Sequence, residues 1–146
     1  MHRESFIQGY CDAMALALHQ RLHLPLGLIQ GEFDDPEEPD ERFYVPAHAV
    51  VIVDLDQGLF MDVDGLGTLA EAADRCVFTD EKPLCIVLTP VSDEEVRYAF
   101  SMAGVGDEEI ALAHAYLDAH PEIVAGASAA LKRHARRSGE APGPGC

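Results

Sequence analysis

Three stretches in the first half of the chain carry residues that could do chemistry together. The first is Gly9-Tyr10-Cys11-Asp12-Ala13-Met14-Ala15-Leu16-Ala17-Leu18. The second is the apolar run Val45-Pro46-Ala47-His48-Ala49-Val50-Val51-Ile52-Val53. The third is Met61-Asp62-Val63-Asp64-Gly65. A cysteine becomes a nucleophile when its thiolate is stabilised, and both a helix N-terminus and a nearby imidazolium do this. A histidine in that role needs a partner for its second ring nitrogen. Cys11, His48 and an aspartate therefore suit attack on an amide or ester carbonyl. His48 takes the thiol proton or forms an ion pair with the sulfur, then protonates the leaving group, and a carboxylate orients the ring. The backbone N–H of Cys11 is placed to bind an oxyanion, with the Gln8 side chain as a second donor. Each residue also has an ordinary reading: a small core cysteine, a satisfied strand histidine, turn aspartates before a glycine, a surface glutamine.

The elements that must position these residues can be read in order. Ile7, Cys11, Met14, Ala15, Leu18 and Leu22 recur at three- and four-residue spacing, which predicts a helix with one buried stripe. Gly9 places its proper start at Tyr10 or Cys11, and Pro25 ends it. Residues 26–33 suit a strand, and residues 34–41 form an acidic loop broken by prolines. Residues 45–55 form the strongest strand. Asp56-Gln57-Gly58 is turn chemistry, so residues 59–63 return as an antiparallel partner that brings Asp62 and Asp64 back beside His48. The two aspartates share a face. Asp62, deeper in the hairpin, is taken as the orienting acid, with Asp64 as the alternative. Thr68 with Glu71, and Ser92 with Glu95, are capping boxes that open helices to about Cys76 and Ala103. Between them, residues 84–89 read as a strand covered on both faces. Acids at 107–109 open a further helix, and Pro121 starts the last one, to about Arg137. Tyr98, Phe100, Met102, Tyr116 and Leu117 read as helix core. A helix, then an antiparallel sheet, then helices is an α+β layout. One domain spans 1–137, and 138–146 is a Pro/Gly tail expected to be disordered.

The same residues carry a family resemblance. Gly9-x-Cys11-x-x-x-Ala15, an apolar helix, Leu24-Pro25-Leu26 and Gly31 resemble the core of transglutaminase-like cysteine enzymes. His48-Ala49-Val50, with Asp62 one hairpin later, resembles that superfamily's second and third motifs. The resemblance implies a papain-like fold and a Cys-His-Asp order. The chain is also similar to short bacterial and phage proteins with Cys-x-x-x-Ala-x-Ala-Leu, His-Ala-x-Val and an Asp-x-Asp-Gly strand end. The match covers roughly residues 9–65. The helix is about a turn shorter than in that superfamily, Ala49 and Val50 stand where an aromatic is usual, and there is no tryptophan.

Bulk properties narrow the function classes. The chain of 146 residues carries 26 Asp and Glu against 10 Lys and Arg, a formal net charge of -16. Such a chain repels nucleic acid and anionic membrane and favours a basic protein or peptide as substrate. Lys132, Arg133, Arg136 and Arg137 suit a helix C-terminus. Cys11, Cys76, Cys85 and Cys146 match no zinc or redox spacing, which predicts reduced thiols and a cytoplasmic location. Met1 to Ser5 do not open a signal peptide. No metal or cofactor is expected. His19 and His23 lack a third ligand, and the aspartates at 54, 56, 62 and 64 lack the calcium-loop ladder. Two function classes follow: a thiol hydrolase or acyltransferase (peptidase, deamidase or transferase), or an inactive acidic binding module or inhibitor that engages a basic partner.

Overall fold

The computed structural model of the chain describes residues 10–38, 40–76, 78 and 82–136. Gln8 and the tail at 138–146, named above, lie outside them.

The centre of the molecule is helix α1 (Cys11–Leu22), in which Cys11 to Leu18 are all buried. A single stripe was expected from spacing. Ala13-Met14-Ala15-Leu16-Ala17-Leu18 is instead apolar all round, and a helix of that kind is covered on every side. Ala13 and Ala17 lose all solvent contact, and their small side chains let neighbouring elements approach closely. The helix ends at His23, whose backbone is left-handed (φ 57°) and whose N–H donates to the His19 carbonyl. Residues with φ > 0 commonly close helices in this way, and Pro25 prevents continuation.

Five strands follow in one antiparallel sheet: β1 (Leu26–Asp34), β2 (Arg42–Asp54), β3 (Leu59–Asp62), β4 (Gly65–Thr68) and β5 (Cys85–Pro90), in the spatial order β4-β3-β2-β1-β5. The β2–β3 hairpin turns through Gly58, which takes a positive φ of 64°. The two glycines after Val63, Gly65 and Gly67, suit a turn out of the hairpin rather than a strand. The stretch is strand β4, in which Gly67 lies opposite Phe60. The last strand was expected to be covered on both faces. As β5 it is a sheet edge, and Leu88 is its one buried residue.

One sheet face presents Leu26, Leu28, Ala49, Val51, Met61 and Val63 to α1 and the C-terminal helices. The other presents Ile29, Val50, Ile52, Phe60 and Leu88 to helix α2 (Leu69–Arg75) through Leu69 and Ala72. Thr68 caps α2, accepting from the Glu71 N–H. Ser92 and Glu95 form the expected capping box of α3 (Asp93–Tyr98). This helix stops well before Ala103, and Gly104 turns the chain with φ 75°. Tyr98, Phe100 and Met102 are consequently exposed, contrary to their reading as core, whereas Leu117 is buried. Helices α4 (Asp107–Ala119) and α5 (Pro121–Arg136) meet at Pro121. Val96, Ile110, Ala113, Leu117, Ala127 and Ala130 complete the cover over α1.

The architecture is α+β: an N-terminal helix, a five-stranded antiparallel sheet and C-terminal helices. No helix among the described residues is long and apolar enough to cross a membrane.

Candidate active site

Cys11 is the first residue of α1, after Tyr10, which takes a non-helical conformation. The N–H groups of a helix's first turn have no partner within the helix, so the cysteine sits at the positive end of the helix dipole. Asp12 beside it is buried, and its Oδ1 accepts from the Ala13 N–H at 2.8 Å. Burial pushes the Asp12 carboxyl up from its ordinary range. The backbone N–H groups of Ala13 and of Asp12 itself oppose this, and Glu109 adds to it. Spacing alone did not single out Asp12. An acid in the first turn reads as an ordinary dipole partner, and only the closure of the other helices over α1 removes it from water.

His48 comes from the middle of β2, at a break in strand pairing. Ile29 lies opposite His48 but Gln30 lies opposite Pro46, so Ala47 is the extra residue of a bulge. Strict alternation groups His48 with Val50 and Ile52, which pack on the α2 side. Its ring nevertheless interacts electrostatically with Cys11, whose cluster lies on the α1 side. A bulge bends its strand and re-aims side chains, so counting parity up to this position misplaces the ring.

Asp62 is the last residue of β3. It directly follows Met61, which is paired with Val51, and this puts its carboxylate within reach of His48 three residues before Val51. His48 Nε2 donates to Asp62 Oδ2 at 3.0 Å. The other carboxylate oxygen, Oδ1, accepts from the Asp64 N–H at 2.8 Å. Both oxygens are thus held. Asp64 is exposed and contributes its backbone to fixing Asp62.

The structure therefore brings Cys11, His48 and Asp62 together and leaves Asp64 outside. Burial alone would drive the His48 imidazolium towards the neutral form. Hydrogen bonds to Asp62 and Cys11, and the negative charge of each, outweigh it and raise the pKa from 6.5 to about 9. At neutral pH the ring is an imidazolium. Asp62 occupies Nε2, which leaves Nδ1 as the ring's other hydrogen-bonding atom. The site is nearly closed, with Cys11 6% exposed and the His48 and Asp62 side chains 13% and 10% exposed.

A second histidine–aspartate pair joins α5 to the sheet. His134 Nε2 donates to Asp54 Oδ2 at 2.9 Å and holds that carboxyl below its usual range. Asp54 lies in the same strand as His48 but six residues further on, and no thiol accompanies it. Among the described residues no group of three or more His, Cys, Asp or Glu side chains is placed to hold a metal ion. Cys11 is a free thiol, as expected, whereas Cys85 is disulfide-bonded, which departs from the expectation of reduced thiols throughout.

No family model matches the sequence, and neither a curated protein nor a solved structure is found to be similar to it.

Proposed function

We propose that the protein is a cysteine hydrolase or acyltransferase acting on an amide or ester carbonyl through Cys11, His48 and Asp62. The single observation behind this reading is the hydrogen bond from the His48 imidazole to Asp62, a carboxylate itself held by backbone, with Cys11 close enough to raise the pKa of that ring. A thiol bonded to an imidazolium is the arrangement that activates cysteine nucleophiles. The raised His48 pKa favours a protonated ring over a neutral one waiting to accept a proton. In the reaction the sulfur adds to the carbonyl carbon, and the Cys11 N–H faces the developing oxyanion. The C–N or C–O bond then breaks, and His48 gives its proton to the leaving group. Water or an amine resolves the thioester, with His48 accepting the proton back.

The Cys, His, Asp order and a helix laid on an antiparallel sheet accord with a small papain-like or transglutaminase-like domain, and we read the fold so. The substrate is a protein or peptide, cationic because the chain's net charge is -16. Nucleic acid and membrane are not its partners, and its place is the cytoplasm.

One observation favours the other reading, a binding module without turnover: Cys11 is buried. Alkylation separates the two. At about pH 6.5, iodoacetamide should label Cys11 at least about tenfold faster than it labels free cysteine. Asp62→Asn should remove most of that advantage and Asp64→Asn little of it, because it is Asp62 that accepts from the ring. Labelling of Cys11 no faster than that of free cysteine sinks the enzyme reading and leaves the module.

A further inference from the structure

Strand β2 runs from Arg42 to Asp54, but its partner β3 stops at Asp62, and their paired residues begin at Val51. On that side, among the described residues, no strand pairs with β2 from Arg42 to Ala49. The other side is paired with β1 along its length. Half of a central strand thus presents a bare edge, and the edge ends at His48, in the notch where β3 stops. Pro46 lies in this stretch. A proline lacks the N–H that a two-sided strand needs, and it is tolerated where one edge is unpaired. Phe43, Tyr44 and Val45 are exposed along it, and Phe43 is stacked on Phe33 with ring centroids 5.4 Å apart, so the edge is stiffened rather than frayed. Beyond Arg42 the hairpin tip carries Asp34, Asp35, Glu37, Glu38, Asp40 and Glu41, with Arg42 as the counter-charge to Asp34.

Resting on the enzyme reading above, we propose that the substrate is an extended peptide that adds to the outer edge of β2 between Arg42 and Ala47. Its reacting amide enters the notch at Cys11 and His48, and its lysines or arginines lie against the acidic tip. Edge addition supplies affinity through main-chain hydrogen bonds, and the exposed side chains select alternate residues of the peptide. A strand advances about 3.3 Å per residue, so the basic cluster belongs about seven residues from the reacting bond, all on one side of it.

The probe is a twelve-residue peptide of alternating threonine and valine with four lysines at one end, made with the lysines at either terminus. It is titrated into the full chain carrying Cys11→Ala, which binds without turnover. Each version is also made N-methylated at alternate positions, in the two possible phases. The expected result is binding of one lysine placement at least about tenfold tighter than the other. One methylation phase abolishes that binding and the other leaves it, because a paired strand turns alternate amides to its partner. Bound peptide slows hydrogen exchange of alternate amides between Arg42 and Ala47. The proposal is overturned if both phases bind alike, if nothing binds at about 1 mM, or if those amides in the free protein already exchange as slowly as Val51. Iodoacetamide labelling of the unaltered chain is read separately. Phase-dependent binding without selective labelling of Cys11 keeps the edge and discards the enzyme. Selective labelling without phase-dependent binding does the reverse.

Discussion

At the scale of single residues, His48 should make the protein's stability depend on pH in a definite direction. Its pKa is raised from 6.5 to about 9 in the folded chain. A raised pKa means that the folded state binds the proton more tightly than the unfolded one. The stabilisation is therefore complete below about pH 6.5 and is lost as pH rises through about 9. For a mostly buried group, a shift of this size amounts to on the order of 3 kcal/mol. Asp62→Asn removes the carboxylate that accepts from Nε2, so the variant should show a much flatter profile across that window. Urea unfolding at several pH values measures both curves. Identical slopes for the two proteins would mean that the pair does not hold the proton. The meeting of His48 with Asp62 was legible from residue types and hairpin arithmetic. The bulge at Ala47 was not. It depends on how β1 and β2 register against each other, and no local pattern in Val45 to Val53 records that.

Among the elements, those with local chemical markers were read closely. The Thr68 and Ser92 caps, the Gly58 turn and the Pro121 break each act within a few residues and lie where expected. Elements defined by what packs against them were misread. Strand β4 is four residues, Gly65–Thr68, with two glycines, and it exists because β3 offers it a ladder. Helix α1 shows no stripe because three other helices enclose it. The glycines test this distinction. A Cβ at Gly67 would come 2.8 Å from the Phe60 ring, and that ring is 1% exposed and cannot swing away. Gly67→Ala should therefore destabilise the fold by about 1–3 kcal/mol. Gly126 lies inside α5 with nothing within 4 Å of a built Cβ. Gly126→Ala should stabilise by about 0.4–1 kcal/mol by restricting the unfolded chain. Denaturation midpoints decide both, and a neutral Gly67→Ala would show that β4 is not held against Phe60.

For the whole molecule the governing quantity is charge. The net charge of -16 is spread over an α+β body in which three of the ten Lys and Arg residues are paired with aspartates. Arg21 pairs with Asp118, Arg42 with Asp34 and Arg97 with Asp93. Lys132 and Arg133 remain exposed near the end of α5, where cations offset the helix dipole. Two such residues could neutralise only a couple of phosphates. Affinity for duplex DNA rises with the number of counterions released, and low salt strengthens it only when attraction dominates. Here the long-range field is repulsive, and lowering the salt lengthens its reach. The expected result is no binding of a random duplex at physiological salt, and no recovery of binding as salt is reduced. A cationic peptide should behave oppositely and bind more tightly in dilute salt. Fluorescence anisotropy with a labelled duplex and with the lysine-ended peptide, across the same salt series, reads both signs. Submicromolar duplex binding, or duplex affinity that climbs steeply as salt falls, would mean that the basic residues near the end of the last helix make a patch strong enough to overcome the charge of the rest of the chain.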